Sequence, residues 1–339
     1  MPKSILQNFN SIKPDWQQQL AQAITDPLEL LQLLKLDIDD FPFCQQASEQ
    51  FQLKLPRAYI NKIELGNPND PLLRQVMATG AELTINNHYC SDPVGDLASM
   101  PVPGLLHKYQ GRVLLITTGA CAIHCRYCFR RHFPYSDNHS SKNQWHDSLQ
   151  YIQQHSDILE VILSGGDPLM LSDSKLEQLI HQLDAISHVK TLRIHTRIPI
   201  TLPARITEEL IITLTSSRLQ VCVVVHANHP NEITVEEQLA LKRLHQAGIH
   251  LLNQSVLLKD INDCSVILSD LSQSLFSSAT LPYYLHLLDP VQGASHFHVD
   301  EQQAIKLIEE LRNTLPGYLV PKLVKETAGK KSKLPVFRL

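Results

Sequence analysis

Gly119-Ala-Cys121-Ala-Ile-His-Cys125-Arg-Tyr-Cys128-Phe-Arg-Arg131 sets three cysteines at a three-then-two spacing, directly after the apolar run Val113-Leu-Leu-Ile116. Thiolates ligate iron–sulfur clusters, and four of them normally complete a [4Fe–4S] cube. No fourth cysteine follows here, so a cluster on this stretch keeps one iron open to an outside ligand. Zinc is the obvious competitor, but a structural zinc wants a closed tetrahedral set, and neither His124 nor His132 repeats a finger spacing. A third reading needs no metal. Residues 121, 125 and 128 fall on one stripe of a helix, where cysteine packs as a small hydrophobe while Arg126, Tyr127 and Arg130 face out. Spacing alone leaves the three readings open and favours the cluster.

The 339 residues suffice for one large domain or for a domain with an extension. A hydrophobic content of 43% suits a buried globular core, and no stretch resembles a membrane span or a signal peptide. The formal net charge of −4 argues against wholesale nucleic-acid binding. Seven cysteines, an odd number with no signal peptide, point to the reducing cytoplasm rather than to a disulfide framework. Packing is then the default role of Cys44, Cys90, Cys222 and Cys264, with Cys222 in the core run 219–225.

Residues 1–100 read as a helical N-terminal extension and 101–339 as the main domain. Leu20, Ala23, Ile24, Leu28, Leu31 and Leu34 recur near one face of a helix over 15–36. Further helical pieces lie near 49–53 and 71–79, on either side of the turn cluster Asn67-Pro-Asn-Asp-Pro71. No chemistry is visible in this part, which reads as a packing collar. From there on, apolar and β-branched runs begin near Arg112, Leu159, Val189, Leu219, Ile249 and Leu281. Amphipathic stretches at 175–186, 206–216, 235–247, 265–275 and 300–311 alternate with them. Near-continuous apolar strands alternating with helices of that length indicate βαβ units and a parallel sheet. Six such units make an α/β fold of the incomplete (β/α)6 barrel type.

Chemistry in parallel α/β folds sits at the carboxyl ends of strands. Polar residues cluster at those ends here: Ser164-Gly-Gly-Asp167, His195-Thr-Arg197, His226-Ala-Asn228, Asn253-Gln254-Ser255 and Asp289. Gly165 and Gly166 let backbone approach a ligand closely, although Ser164 or Asp167 equally suits a helix cap. His226 and Gln254 are able to bond a ribose, an adenine or a carboxylate, or to form satisfied buried polar groups. A lysine at a strand end can form a Schiff base with pyridoxal 5'-phosphate (PLP). The tail holds Lys330, Lys331 and Lys333, and composition does not choose among them.

Cys-x3-Cys-x2-Cys, with Tyr127 before the last cysteine, resembles the signature of the radical S-adenosyl-L-methionine (SAM) enzymes. The string Cys125-Arg-Tyr-Cys-Phe-Arg-Arg131 resembles the lysine 2,3-aminomutase family in particular. So do His226-Ala-Asn-His-Pro-Asn-Glu-Ile-Thr234 and Leu252-Asn-Gln-Ser-Val-Leu-Leu258. The resemblance runs from about residue 50 to the end and loosely covers the earlier helices. It implies a radical SAM partial barrel with a [4Fe–4S] cluster on Cys121, Cys125 and Cys128. It places SAM at Tyr127, Ser164, Gly165, Gly166, Asp167, His226 and Gln254. PLP would be held by Lys333, with its phosphate at Lys108, Tyr109 and Arg112. The family pattern of a glycine-rich turn followed by Lys-x-Pro-Val selects Lys333, although only Gly329 remains of the glycines. Lys108 stands where the family usually has Arg, which trades a bidentate fork for a point charge. Arg130 matches the family's contact to the substrate α-carboxylate. Asp289 and Glu326 match its contacts to the distal ammonium, with Glu326 where Asp is usual.

The implied activity is that of an isomerase, a PLP-dependent 2,3-aminomutase that turns L-lysine into (R)-β-lysine. The family's free-lysine enzymes carry a longer, cysteine-bearing extension that binds zinc beside a residue matching Cys264. This sequence ends at Leu339, so zinc is not carried over, and the chain resembles the short branch that serves elongation factor P modification. Flavodoxin or ferredoxin is the expected reductant. Two rivals stand beside this reading. One is an aminomutase acting on another amino acid such as glutamate, which the acidic pair Asp289 and Glu326 disfavours. The other is an iron–sulfur electron-transfer or redox-sensing protein, which needs no PLP site.

Overall fold

The computed structural model describes residues 15–135 and 145–337. Nine strands among them form one sheet in chain order: β1 (Leu105–Tyr109), β2 (Arg112–Thr118), β3 (Glu160–Gly165), β4 (Thr191–Thr196), β5 (Gln220–Val225), β6 (His250–Val256), β7 (Leu281–His286), β8 (Lys322–Lys325) and β9 (Leu334–Pro335). Strands β2 to β8 pair in parallel, neighbour to neighbour. β1 and β9 close the two edges in antiparallel register. The six strands expected from the apolar runs are β2–β7; β1, β8 and β9 are additions. Lys108, Tyr109 and Arg112, expected ahead of the first strand, lie on the β1–β2 hairpin itself.

Five short helices precede the sheet: α1 (Trp16–Ala21), α2 (Pro27–Leu33), α3 (Gln45–Gln50), α4 (Arg57–Ile60) and α5 (Pro71–Arg74). Within the sheet region come α6 (His146–Gln154), α7 (Asp173–Asp184), the single turn α8 (Ile198–Thr201), α9 (Glu208–Thr215), α10 (Val235–Gln246), α11 (Ser265–Ser277) and α12 (Glu301–Thr314). Apart from α8, one of them follows each of β2–β7, as right-handed parallel crossovers require. The architecture is the incomplete (β/α)6 barrel, lengthened by a seventh parallel strand. Among the described residues no helix is long and apolar enough to cross a membrane.

Alternation along the strands divides packing from chemistry. On β4, Leu192 and Ile194 join Leu176 and Leu179 of α7 and Leu210 and Leu214 of α9 in the main core. Between them, Arg193 and His195 face an inner cavity. The near-continuous apolar character expected of these strands holds on β2, β3 and β5, where Leu114, Ile162 and Val224 keep it on the inner register, and is broken on β4. A cavity-facing side chain need not be apolar, and β6 likewise turns Gln254 inward. Cys222, expected in the core, is half-buried in the register of that inner face, opposite in sense to the core residues Val221 and Val223.

The first hundred residues deviate more. The periodicity over 15–36 is split between two helices, because Asp26 caps Leu28 N–H at 2.9 Å and Pro27 starts α2 afresh; the expected single face is not formed, since Leu20 packs on the main core and Leu28 is exposed. Leu30, Leu31 and Leu34 still reach a second core with Tyr59, Leu72 and Leu73, which extends to Ile123 of the cysteine stretch. Lys62 straps this layer to the barrel. Its Nζ donates to Ile200 O at 2.6 Å, Glu232 O at 3.1 Å and Glu237 Oε1 at 3.1 Å. Both side chains of the ion pair are almost wholly enclosed. Removing one member of a buried pair costs on the order of 3–5 kcal/mol. Lys62→Ala should accordingly lower the unfolding free energy by about 3 kcal/mol in a denaturant titration. A loss below about 0.5 kcal/mol, the range of ordinary surface changes, would show the strap to be idle.

Candidate active site

Residues 119–131 form a succession of turns, not a helix, which removes the buried-stripe reading of the cysteines. Arg126, Tyr127 and Arg130, which that reading turned outward, are buried. Arg126 chelates Glu82 through Nε at 2.8 Å and Nη2 at 2.5 Å, and also donates to Ala47 O and Phe51 O. Arg131 adds a third bond to Glu82 at 2.9 Å. The Arg126 N–H donates to Gln75 O at 2.9 Å and the His124 N–H to Lys54 O at 3.1 Å. The turns carrying the cysteines thus take their shape from the N-terminal layer, where the sequence showed only packing.

Ser164-Gly-Gly-Asp167 ends β3 against the same turns. Gly166 N–H donates to Thr118 O at 2.7 Å and Asp167 N–H to Ala120 O at 2.8 Å. Gly165 has φ +113°, and a Cβ there would sit 2.7 Å from Thr118 O; one at Gly166 would collide with Ala120 O. Close approach to the cysteine stretch, more than approach to a ligand, accounts for this glycine pair. The Asp167 carboxylate accepts from Thr196 Oγ1 at 2.7 Å, Arg197 N–H at 2.7 Å and Leu169 N–H at 3.1 Å. Its side chain ties β3 to β4, and Ser164 Oγ accepts from Arg130 Nη1 at 3.2 Å.

Across the cavity, the Tyr127 hydroxyl lies 2.9 Å from His226 Nε2 and accepts from Asn228 Nδ2 at 2.7 Å. Burial and the Arg197 charge push the His226 imidazolium down to about 3, so the ring is neutral. Gln254 lines the same space, and its side chain makes no hydrogen bond to a described residue.

The far side is a chain of charges. Lys333 Nζ lies 2.5 Å from Glu326 Oε2, Glu326 Oε1 lies 3.2 Å from Lys108 Nζ, Lys108 lies 2.5 Å from Asp96, and Asp96 accepts from Arg130 Nε at 2.8 Å. Lys330 and Lys331 are exposed, so the tail turns one lysine inward and two out. Lys108 also donates to Val94 O, which commits its ammonium to three acceptors. The Arg112 guanidinium, stacked over the Tyr109 ring at 4.8 Å, has no hydrogen-bonding partner among the described residues. Asp289 joins this group: burial first, then the Glu326 charge, raise its carboxyl to about 7. All these residues line one cavity of about 590 Å³, a size ordinary for ligand sites.

Residues 115–268 match the model of the Radical SAM superfamily. The L-lysine 2,3-aminomutase of Escherichia coli (strain K12) is 48% identical over 325 residues, 96% of this chain and 95% of that protein. The protein of the same name from Haemophilus influenzae is 48% identical over 94% of each chain. That of Clostridium subterminale is 36% identical over 95% of this chain and 77% of its own. The chain belongs to the lysine 2,3-aminomutase family.

Radical SAM members of this kind use a [4Fe–4S] cluster, SAM and PLP, and the donor groups can be tested against that set. Among the described residues no three His, Cys, Asp or Glu side chains converge as a set for a single ion. Three thiols on one wall suit a larger cationic group. Burial raises Cys128 to about 11 and, with its neighbours' charges, raises Cys121 as well; bound iron reverses that preference by holding the thiolates. One inward lysine beside an unpartnered arginine suits an aldehyde that carries a phosphate. Several aminomutase cavity residues escaped the sequence reading. Asp96 sits in the extension, and His286, whose buried Nε2 lacks a partner among the described residues, lies within β7. The inward register of β7 was the only available signal for His286.

Anaerobic reconstitution with iron and sulfide tests the cysteine wall. Cys121→Ala, Cys125→Ala and Cys128→Ala should each lose the brown chromophore or leave it unable to cleave SAM, whereas Cys222→Ala and Cys264→Ala should keep it. Glu82→Gln, which loosens the turns without touching a ligand, should lower iron retention severalfold. Iron lost from Cys264→Ala but kept in Cys125→Ala would show the ligand set to be wrong.

Proposed function

We propose that this protein is a radical SAM, PLP-dependent L-lysine 2,3-aminomutase that produces (R)-β-lysine. One observation carries the reading: a single cavity joins the three cysteines to one inward lysine and to the carboxylates Asp289 and Glu326. The chain around it is 48% identical to proteins bearing that name. Bound there, the cluster with SAM would supply a carbon radical able to take hydrogen from C3 of lysine, and PLP a conjugated ring to carry the migrating nitrogen.

The chain's own groups would do the holding and aiming. Cys121, Cys125 and Cys128 would hold the cluster, with Tyr127, Ser164, Gly165, Gly166, His226 and Gln254 bordering SAM and Asp167 fixing the turn behind it. Lys333 would hold PLP, and Arg112 with Tyr109 its phosphate. Lys108, already committed to Asp96 and Glu326, serves as their counter-charge. Arg130 bonds Asp96 and Ser164, leaves Nη2 without a partner among the described residues, and would orient the α-carboxylate. Asp289 and Glu326 would receive the ε-ammonium, a role supported by the ion pair that Glu326 makes with the Lys333 ammonium. A flavodoxin or ferredoxin reductant, a role in elongation factor P modification and a cytoplasmic location complete the proposal and rest on the resemblance to the short branch.

Anaerobic incubation with L-lysine, SAM, PLP and dithionite should yield β-lysine; its absence from cofactor-loaded protein, or turnover of glutamate in its place, would overturn the reading. Borohydride reduction should attach the pyridoxyl group to the peptide holding Lys333, and labelling at Lys330 or Lys331 would refute that assignment.

Asp289 gives a pH signature. Protonated, it is a poor acceptor for an ammonium, so kcat/KM for lysine should fall as pH drops through about 7. Asp289→Asn should lower kcat/KM by roughly two to four decades, from the 3–5 kcal/mol of a broken buried pair at about 1.4 kcal/mol per decade. The acid limb should vanish with it, while cluster and PLP content stay normal. An unchanged acid limb in the variant would assign the titration to another group.

A further inference from the structure

Arg197 takes no part in the roles above, yet it is among the most heavily bonded side chains in the molecule. It follows the last residue of β4 and is buried, its guanidinium flanked by the rings of Tyr59 and Tyr127 at 5.6 and 5.7 Å from their centroids. Nη2 donates to Gln75 Oε1 at 2.8 Å, Glu232 Oε2 at 3.0 Å and the Tyr59 hydroxyl at 3.3 Å. Nη1 turns the other way and lies 2.6 Å from Cys125 Sγ. An ion pair with Glu232 alone would not require that second contact. Asp167 fixes the direction by accepting the Arg197 N–H, so the guanidinium is aimed at the sulfur by the end of the neighbouring strand.

One-electron reduction adds negative charge to a thiolate-bound cluster. Hydrogen bonds to the ligand sulfurs and nearby positive charge both stabilise the reduced form, and these are among the main determinants of cluster potential. We propose that Arg197 is a positioning residue that raises the reduction potential of the iron–sulfur cluster, through its N–H···S bond to Cys125 and its enclosed charge. Glu232 opposes it, since its carboxylate lies on the far side of the same guanidinium and offsets part of that charge. Gln75 and Tyr59 hold the guanidinium in place from the N-terminal layer. The inference rests on the reading that Cys121, Cys125 and Cys128 hold a cluster.

The test compares reconstituted wild type with Arg197→Gln, Arg197→Lys and Glu232→Gln. Iron per chain is measured for each, and the reduced fraction is followed by electron paramagnetic resonance in a dithionite-poised redox titration. Arg197→Gln, which loses both charge and donor, should shift the reduced-to-oxidised ratio at fixed potential at least tenfold towards oxidised, or 59 mV for a one-electron couple. Arg197→Lys, which keeps the charge, should shift it less and in the same direction. Glu232→Gln should shift it the other way. A merely structural role would lower iron content in all three without opposite signs in the potential. A ratio within twofold of wild type in iron-loaded Arg197→Gln would overturn the proposal. Where that variant fails to load iron, Arg197→Lys and Glu232→Gln decide, and shifts of one sign or none in both overturn it. Wild type that takes up no iron would defeat the cluster reading itself, a result separable from a loaded cluster whose potential ignores Arg197.

Discussion

Five charges in alternation, Lys333, Glu326, Lys108, Asp96 and Arg130, fix the shape of the cavity. They come from the tail beyond β8, from β1, from the extension and from the cysteine turns. Taking an ion out of water costs several kcal/mol even after relaxation, so such groups are tolerated only when each has an opposite charge beside it. The alternation meets that demand and draws the first strand of an open sheet to its last. The two departures from the family pattern meet in this chain. A longer acid at 326 reaches two lysines at once, and one of those lysines, at 108, replaces the bulkier fork of an arginine.

The N-terminal layer belongs to the same constraint. Glu82 accepts from two arginines of the cysteine turns, and Gln75 and Tyr59 bond the guanidinium that touches Cys125. Turns without regular secondary structure hold their conformation only through such contacts, since no ladder of backbone bonds does it for them. A collar that shields an α/β site would need only an apolar face. This one supplies directional polar bonds, and the position of three thiols depends on them.

The sequence made the local and periodic features legible. The three cysteines, the six strands β2–β7 and the helices after them follow from spacing and amphipathic pattern, which neighbouring residues determine. Lys333, Asp289, His226 and Gln254 were placed at strand ends, and the structure sets them around one cavity. Two kinds of feature stayed hidden. Contacts such as Arg126 to Glu82, 44 residues apart, depend on tertiary docking that no window of sequence contains. The two-residue β9 and four-residue β8 are shorter than any periodicity can register. The three acceptors of Lys108, Val94 O, Asp96 and Glu326, were likewise out of reach, because they come from segments distant in sequence. Asp26-Pro27 was legible in principle; the apolar spacing that runs across it masked it, although Leu20 of α1 packs on the main core and Leu30 and Leu31 of α2 on the second.

The histidines complete the electrostatics of the cavity. His195 and His286 are held neutral chiefly by burial, with Lys333 and neighbouring cations adding to the effect. They therefore contribute polarity without adding to the lysines and arginines that already line the cavity. Asp289 is the group left out of balance, raised from 3.8 to about 7. A carboxyl raised in the folded state contributes stability fully below its unfolded value, and that contribution is lost as pH rises through the folded one. Between about pH 4 and 7 the ligand-free fold therefore loses stability at this position, ending with an ionised carboxylate beside Glu326. An ammonium placed between the two relieves that repulsion. The same ionisation that weakens the empty protein strengthens its hold on a cation, so the carboxyl pair is least favourable to the fold under the conditions where it binds best.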